Sequence, residues 1–127
     1  MNSFRIITLV QRGEISAEIC LIINQYLKTN IYFSCLEVRT KEELLNILDK
    51  KQTDVLVIDD RVDSYESIVE LVAHKYQDKE TTILVAVKNR PKHIDRQIGK
   101  NSIFYIPYKI ERQCLGSILL GNLLSDR

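Results

Sequence analysis

The sequence has little excess charge, no long apolar run and few cysteines. Its 18 Lys and Arg stand against 17 Asp and Glu, for a net charge of +1. That balance excludes a surface built throughout to grip nucleic acid or anionic lipid, and a tail of one charge sign. The longest apolar runs, such as 55–58 and 83–87, fall far short of the roughly 20 residues that cross a bilayer. One arginine, the run 6–10, and then Gln11 and Arg12 do not make a signal peptide. A soluble, cytoplasmic domain without membrane contact is expected.

Cys20, Cys35 and Cys114 are widely spaced, form no C-x-x-C pair, and lie far in sequence from His74 and His93. Neither a zinc site nor a disulfide framework is expected. Cys20 lies between Ile19 and Leu21, and Cys114 precedes Leu115. Both suggest buried free thiols acting as small apolar residues. Glycine-rich phosphate loops are also missing: Q-R-G-E after the first apolar run matches neither common phosphate-binding pattern. No metal or cofactor is expected.

What is present suits a single domain. The 127 residues are 45% hydrophobic, and a chain of this length buries roughly two-thirds of the surface it exposes when unfolded. Short β-like runs alternate with helical spacing. Strands are predicted over 4–10, 31–38, 54–58, 81–87 and 102–106, and helices over 14–29, from Thr40, 64–77, 91–98 and 111–124. Thr40 followed by Glu43 reads as a capping box. The unbroken apolar runs of the third and fourth strands suit parallel strands covered on both faces. The fold class expected is therefore α/β: a (βα)₅ doubly wound parallel sheet.

In such sheets the working site lies beyond the carboxyl ends of the strands. The residues there are Gln11-Arg12, Asp59-Asp60, Lys88-Asn89 and Ile106-Pro107-Tyr108. Two adjacent carboxylates can hold a hard cation or present a phosphoryl acceptor, so Asp59 and Asp60 stand out. A solvated turn that caps the next helix would carry the same residues.

The stretch T-D-V-L-V-I-D-D-R-V, with Asp54 leading the run and Asp59 ending it, resembles the third strand of response-regulator receiver domains. G-K-N-S-I-F-Y-I-P-Y resembles their glycine, fifth strand and Lys-Pro-aromatic ending, with Gly99 seven residues before Ile106 and Pro107 implied to be of the cis type. The resemblance covers essentially the whole chain and implies a flavodoxin-like, CheY-like sheet in the order 2-1-3-4-5 and a signalling module. The departures from it are chemical. Gln11 and Arg12 stand where receivers carry Mg²⁺-binding acids, and Val85, followed by Ala86, stands where they carry Ser or Thr. Ile106 replaces the lysine, and Ile103 the conformational aromatic.

Phosphoryl transfer depends on neutralising charge around the transferring group. With those groups missing, Asp59 is expected to be vestigial and the domain a pseudo-receiver that is not an enzyme. Arg12 is a candidate fixed cation that could reach Asp59 or Asp60 in place of a metal. The alternative is a small phosphotransferase or hydrolase, or a ligand sensor, that uses Asp59 in the strand-end crevice.

Charge is segregated along the chain. Residues 37–80 carry 12 acids and 7 bases, and residues 81–112 carry 7 bases and 2 acids. In receivers the second region, with the last helix, serves dimerisation and output. Lys88, Arg90, Arg96 and Lys109 are therefore candidate interface residues, together with Leu115, Ile118 and Leu119 of an unusually apolar last helix. A homodimer through the last helix and fifth-strand face is expected, with an acidic protein partner as a further possibility. Contact with DNA would need a domain outside these 127 residues, as in the N-terminal part of a longer bacterial transcription regulator.

Overall fold

Valine, isoleucine and leucine fill the two central strands on both faces, and this is what places them in the middle of the molecule. The computed structural model describes residues 3–11, 13–26, 32–88 and 95–108. In chain order the elements are β1 (Ser3–Leu9), α1 (Gly13–Tyr26), β2 (Tyr32–Glu37), α2 (Lys41–Lys50) and β3 (Val55–Asp59). They continue with α3 (Tyr65–Lys75), β4 (Thr82–Ala86), β5 (Arg96–Ile98) and β6 (Asn101–Ile106). The sheet runs β2-β1-β3-β4-β6-β5. Every neighbouring pair is parallel except β5 with β6.

The α/β class holds, but the order differs from the expected 2-1-3-4-5 because of β5. The spacing predicts that residues 96–98 end a helix over 91–98; they are instead an antiparallel edge strand. Only Ile94 and Ile98 support the helix, too few apolar positions for a sustained stripe. Gly99 has φ of 58°, and with Lys100 it forms a two-residue loop that folds Ile98 back opposite Asn101. A glycine at the first central position suits such a tight hairpin. Residues 91–94 and the helix expected over 111–124 lie outside the described residues.

Side-chain alternation divides the core in two. Ile7, Leu9, Leu56, Ile58, Ile83, Val85 and Ile103 face α2 and α3, which contribute Leu44, Leu48, Ile68, Val69 and Val72. Phe4, Ile6, Val55, Val57, Leu84, Ala86 and Ile106 form the other face, with Ile19 and Ile22 of α1. Helices thus cover both faces. The expected cap of α2 is present in part: Thr40 Oγ1 accepts from Glu43 N at 3.1 Å, while Glu43 Oε2 accepts from Arg39 N at 3.5 Å. No described helix is long and apolar enough to cross a membrane.

At the amino-terminal end of the sheet, Asp54 Oδ2 accepts from Arg5 N at 2.9 Å, tying β1 to β3. Asn101 is fully buried. Its amide donates to Ala73 O and Tyr76 O, each at 3.0 Å, and its carbonyl accepts from Thr81 N at 3.2 Å. One side chain thus satisfies the end of α3 and the entry to β4, where unpaired backbone groups would otherwise be buried.

Two further expectations are corrected. Cys20 and Cys35 form a disulfide, with Cα atoms 6.8 Å apart, and are not free thiols. Cys35 is in register with Ile6, and parallel partners share a face, so it lies on the α1 side, where Ile19 brings Cys20 over β2. The apolar neighbours of Cys20 in sequence carry no sign of this. The described peptide bonds are all trans, including Ile106–Pro107, where the resemblance implies a cis type.

Candidate functional site

The carboxyl ends of β3, β4 and β6 lie in one row, because Asp59 pairs with Ala86 and Ala86 with Ile106. Asp59 has 0% exposure, which an ionised carboxylate tolerates only when its oxygens are hydrogen-bonded or paired. Its Oδ1 accepts from Arg61 N and Val62 N, and its Oδ2 from Gln11 N, all at 3.1 Å. Arg61 Nε stands 3.8 Å from Oδ2. A carboxylate offers about four acceptor positions; three are taken by backbone N–H groups, and the guanidinium lies beside the remaining one.

Asp60 is half-buried and holds three loops together. Its backbone N–H donates to Ala86 O at 2.9 Å, its Oδ2 accepts from Lys88 N at 2.9 Å, and its Oδ1 accepts from the Tyr108 hydroxyl. The Arg61 guanidinium lies over the Tyr108 ring, 4.3 Å from its centroid. Burial, reinforced by the hydrogen bond to Asp60, pushes the Tyr108 hydroxyl above its ordinary pKa. Tyr108 is therefore a neutral donor to Asp60 at neutral pH, and Arg61 is wedged between Tyr108 and Asp59. Its Nε is buried without a hydrogen-bond partner among the described residues.

The sequence candidates separate as follows. Asp59, Asp60, Gln11 and Tyr108 come together, Gln11 through its backbone N–H. Ile106 ends the row but points into the core, as does Val85, which lies on the opposite face of the sheet. Ala86, not Val85, is the β4 residue in register with Asp59. Pro107 is exposed beyond β6. Lys88 contributes its N–H to Asp60 while remaining exposed. Arg96 lies on β5 and pairs with Glu70 of α3. Its guanidinium holds the Glu70 carboxyl below the usual range. Arg12, Arg90, Lys109, Leu115, Ile118 and Leu119 lie outside the described residues.

Arg61 is the residue that sequence reasoning passes over. Its position two residues after Asp59 is the only signal the sequence offers. The tight turn after β3 sends its N–H to Oδ1 and brings its side chain beside Oδ2, which sequence distance alone does not reveal. Among the described residues, no group of three His, Cys, Asp or Glu is placed to hold a metal ion. No family model, curated protein or solved structure matches the chain.

Proposed function

We propose that this chain is a receiver-like regulatory module that acts without phosphorylation, as a protein–protein interaction domain. The observation that carries this reading is the closed cradle of Asp59. A phosphoacceptor must present a carboxylate oxygen to an incoming phosphoryl group, with cations around the transferred charge. Here both oxygens are engaged by the chain's own N–H groups, and Arg61 supplies the positive charge from within. The same closure disfavours a hydrolase or phosphotransferase built on Asp59. Output would then be carried by association, with a homodimer as the preferred form and any DNA contact made by another domain.

The test combines acetyl phosphate with Mg²⁺ and follows intact mass and thermal unfolding. No phosphoryl adduct and an unchanged unfolding midpoint are expected. An adduct lost in Asp59→Asn would overturn the phosphorylation-independent reading. Sedimentation equilibrium then tests association: a concentration-dependent dimer is expected, and a monomer at all concentrations removes the dimer from the proposal.

A further inference from the structure

The Cys20–Cys35 disulfide is the one reactive pair among the described residues that the proposed function does not use. We propose that this pair is a thiol–disulfide switch that sets how firmly α1 is held to the edge strand β2. The inference stands independently of the receiver-like reading.

Position is the first argument. β2 ends the sheet, and Cys35 on it is exposed, while Cys20 is half-buried against the α1-side core. Exposed disulfides are open to exchange, because the attacking thiolate must reach one sulfur. Cys35 is the more exposed residue of the two, so its sulfur is assigned as the one attacked and Cys20 as the leaving thiolate.

The second argument is that the fold does not depend on the bond. Among the described residues, Cys35 belongs to neither core cluster, and Cys20 is only partly buried against one of them. A chain of this size builds its core without a covalent staple, so opening the pair leaves a folded molecule to act as the reduced state.

Connectivity is the third. α1 starts at Gly13, two residues after Gln11, whose N–H holds Asp59. A change in how α1 sits on the sheet therefore reaches the strand-end network through a very short link.

The exchange balances with a dithiol reductant. Its thiolate attacks Cys35 Sγ, forms a mixed disulfide and releases Cys20 as a thiolate, which takes up a proton. The second thiol of the reductant then attacks the mixed disulfide and releases Cys35, which is protonated in turn. The products are two protein thiols and one oxidised reductant. Glutathione disulfide reverses the change, yielding the protein disulfide and two molecules of glutathione.

The experiment poises the native chain with glutathione disulfide or with dithiothreitol, alkylates free thiols, and maps peptides by mass. Amide hydrogen exchange is followed in parallel. A Cys20–Cys35 cross-linked peptide is expected in the oxidised sample, and two alkylated cysteines after native reduction. Exchange in 13–26 and 32–37 should then rise by roughly tenfold or more. The double variant Cys20→Ala/Cys35→Ala should show the exchange of the reduced form under both conditions. The proposal is overturned if oxidant leaves the pair unlinked, if reduction requires denaturant, or if both states exchange alike. Mapping keeps Cys114 distinguishable throughout.

Discussion

Asp59 and Asn101 sit at opposite ends of the strands, and each is buried because it completes several backbone hydrogen bonds at once. Replacing Asp59 by alanine leaves the N–H groups of Gln11, Arg61 and Val62 without their acceptor, and Arg61 without its neighbouring charge. The expected loss is about 3 kcal/mol, measured by urea unfolding. Asn101→Ala strands two carbonyls and one N–H in the same way, with a similar loss of about 3 kcal/mol. Their legibility differs. Asp59 stands out as an acid at the end of an apolar run, whereas Asn101 resembles any polar residue at a strand start. Only its contacts with the end of α3, 25 and 28 residues away in sequence, give it a role.

Tyrosines supply a pH test at the same scale. Burial and then the hydrogen bond to Glu66 push the Tyr65 hydroxyl up to about 12, from an ordinary value of 10.0. Burial and a carboxylate partner also raise Tyr76, beside Asp49, and Tyr108, beside Asp60. A raised folded-state pKa means the neutral form is favoured by folding. The associated stability is complete below about pH 10 and is lost as pH rises towards 12. Phenolate absorbance should therefore show several of the six tyrosines ionising late, together with loss of the fold. Ionisation of all six near the ordinary value would contradict this packing.

Among the elements, two tight positions should respond to substitution with opposite signs. Gly99 has φ of 58°, and a Cβ there would lie 2.4 Å from Gln77 O and 2.6 Å from Gln77 Cβ. Gly99→Ala should cost about 2 kcal/mol or more and loosen the β5–β6 hairpin, as read by amide exchange. Ser64, before α3, has φ of 59° and makes no side-chain cap bond. Ser64→Gly relieves a left-handed residue and should gain about 0.5 kcal/mol in thermal unfolding. Strong apolar periodicity makes β3, β4, α2 and α3 legible in the sequence itself. The stretch 96–98 is not legible there, because its strand character comes from pairing with β6 across a turn and not from its own three residues.

Across the whole molecule, the two oppositely charged chain segments meet at the surface, where Glu70 of the acidic segment pairs with Arg96 of the basic one. Asp60 of the acidic segment is also tied to the basic one, through the neutral Lys88 N–H and Tyr108 hydroxyl. Arg96 thus braces β5 against α3 and is not a free cation awaiting a partner. Both side chains of that pair are partly exposed, so Glu70→Gln should change stability by less than about 1 kcal/mol. The disulfide acts on a larger scale. It spans 15 residues of sequence, and closing a loop of that size stabilises by about 3 kcal/mol. Reduction should lower the unfolding midpoint without abolishing the transition, measured by calorimetry with and without dithiothreitol.

Apolar patterning points to an α/β chain with two fully buried central strands, because its unbroken apolar runs are too short for buried helices, are rich in Val and Ile, and alternate with segments of helical spacing that can cover both faces of a sheet. It also places an acidic pair at a strand end. What the chain does with that pair is decided by tertiary structure. Arg61 and Tyr108 lie 47 residues apart in sequence and meet because β4 and β6 bring the two turns together. Cys20 and Cys35 meet because register places Cys35 under α1. Through-space neutralisation of a buried carboxylate depends on distances of a few ångströms, and no spacing along the chain encodes them.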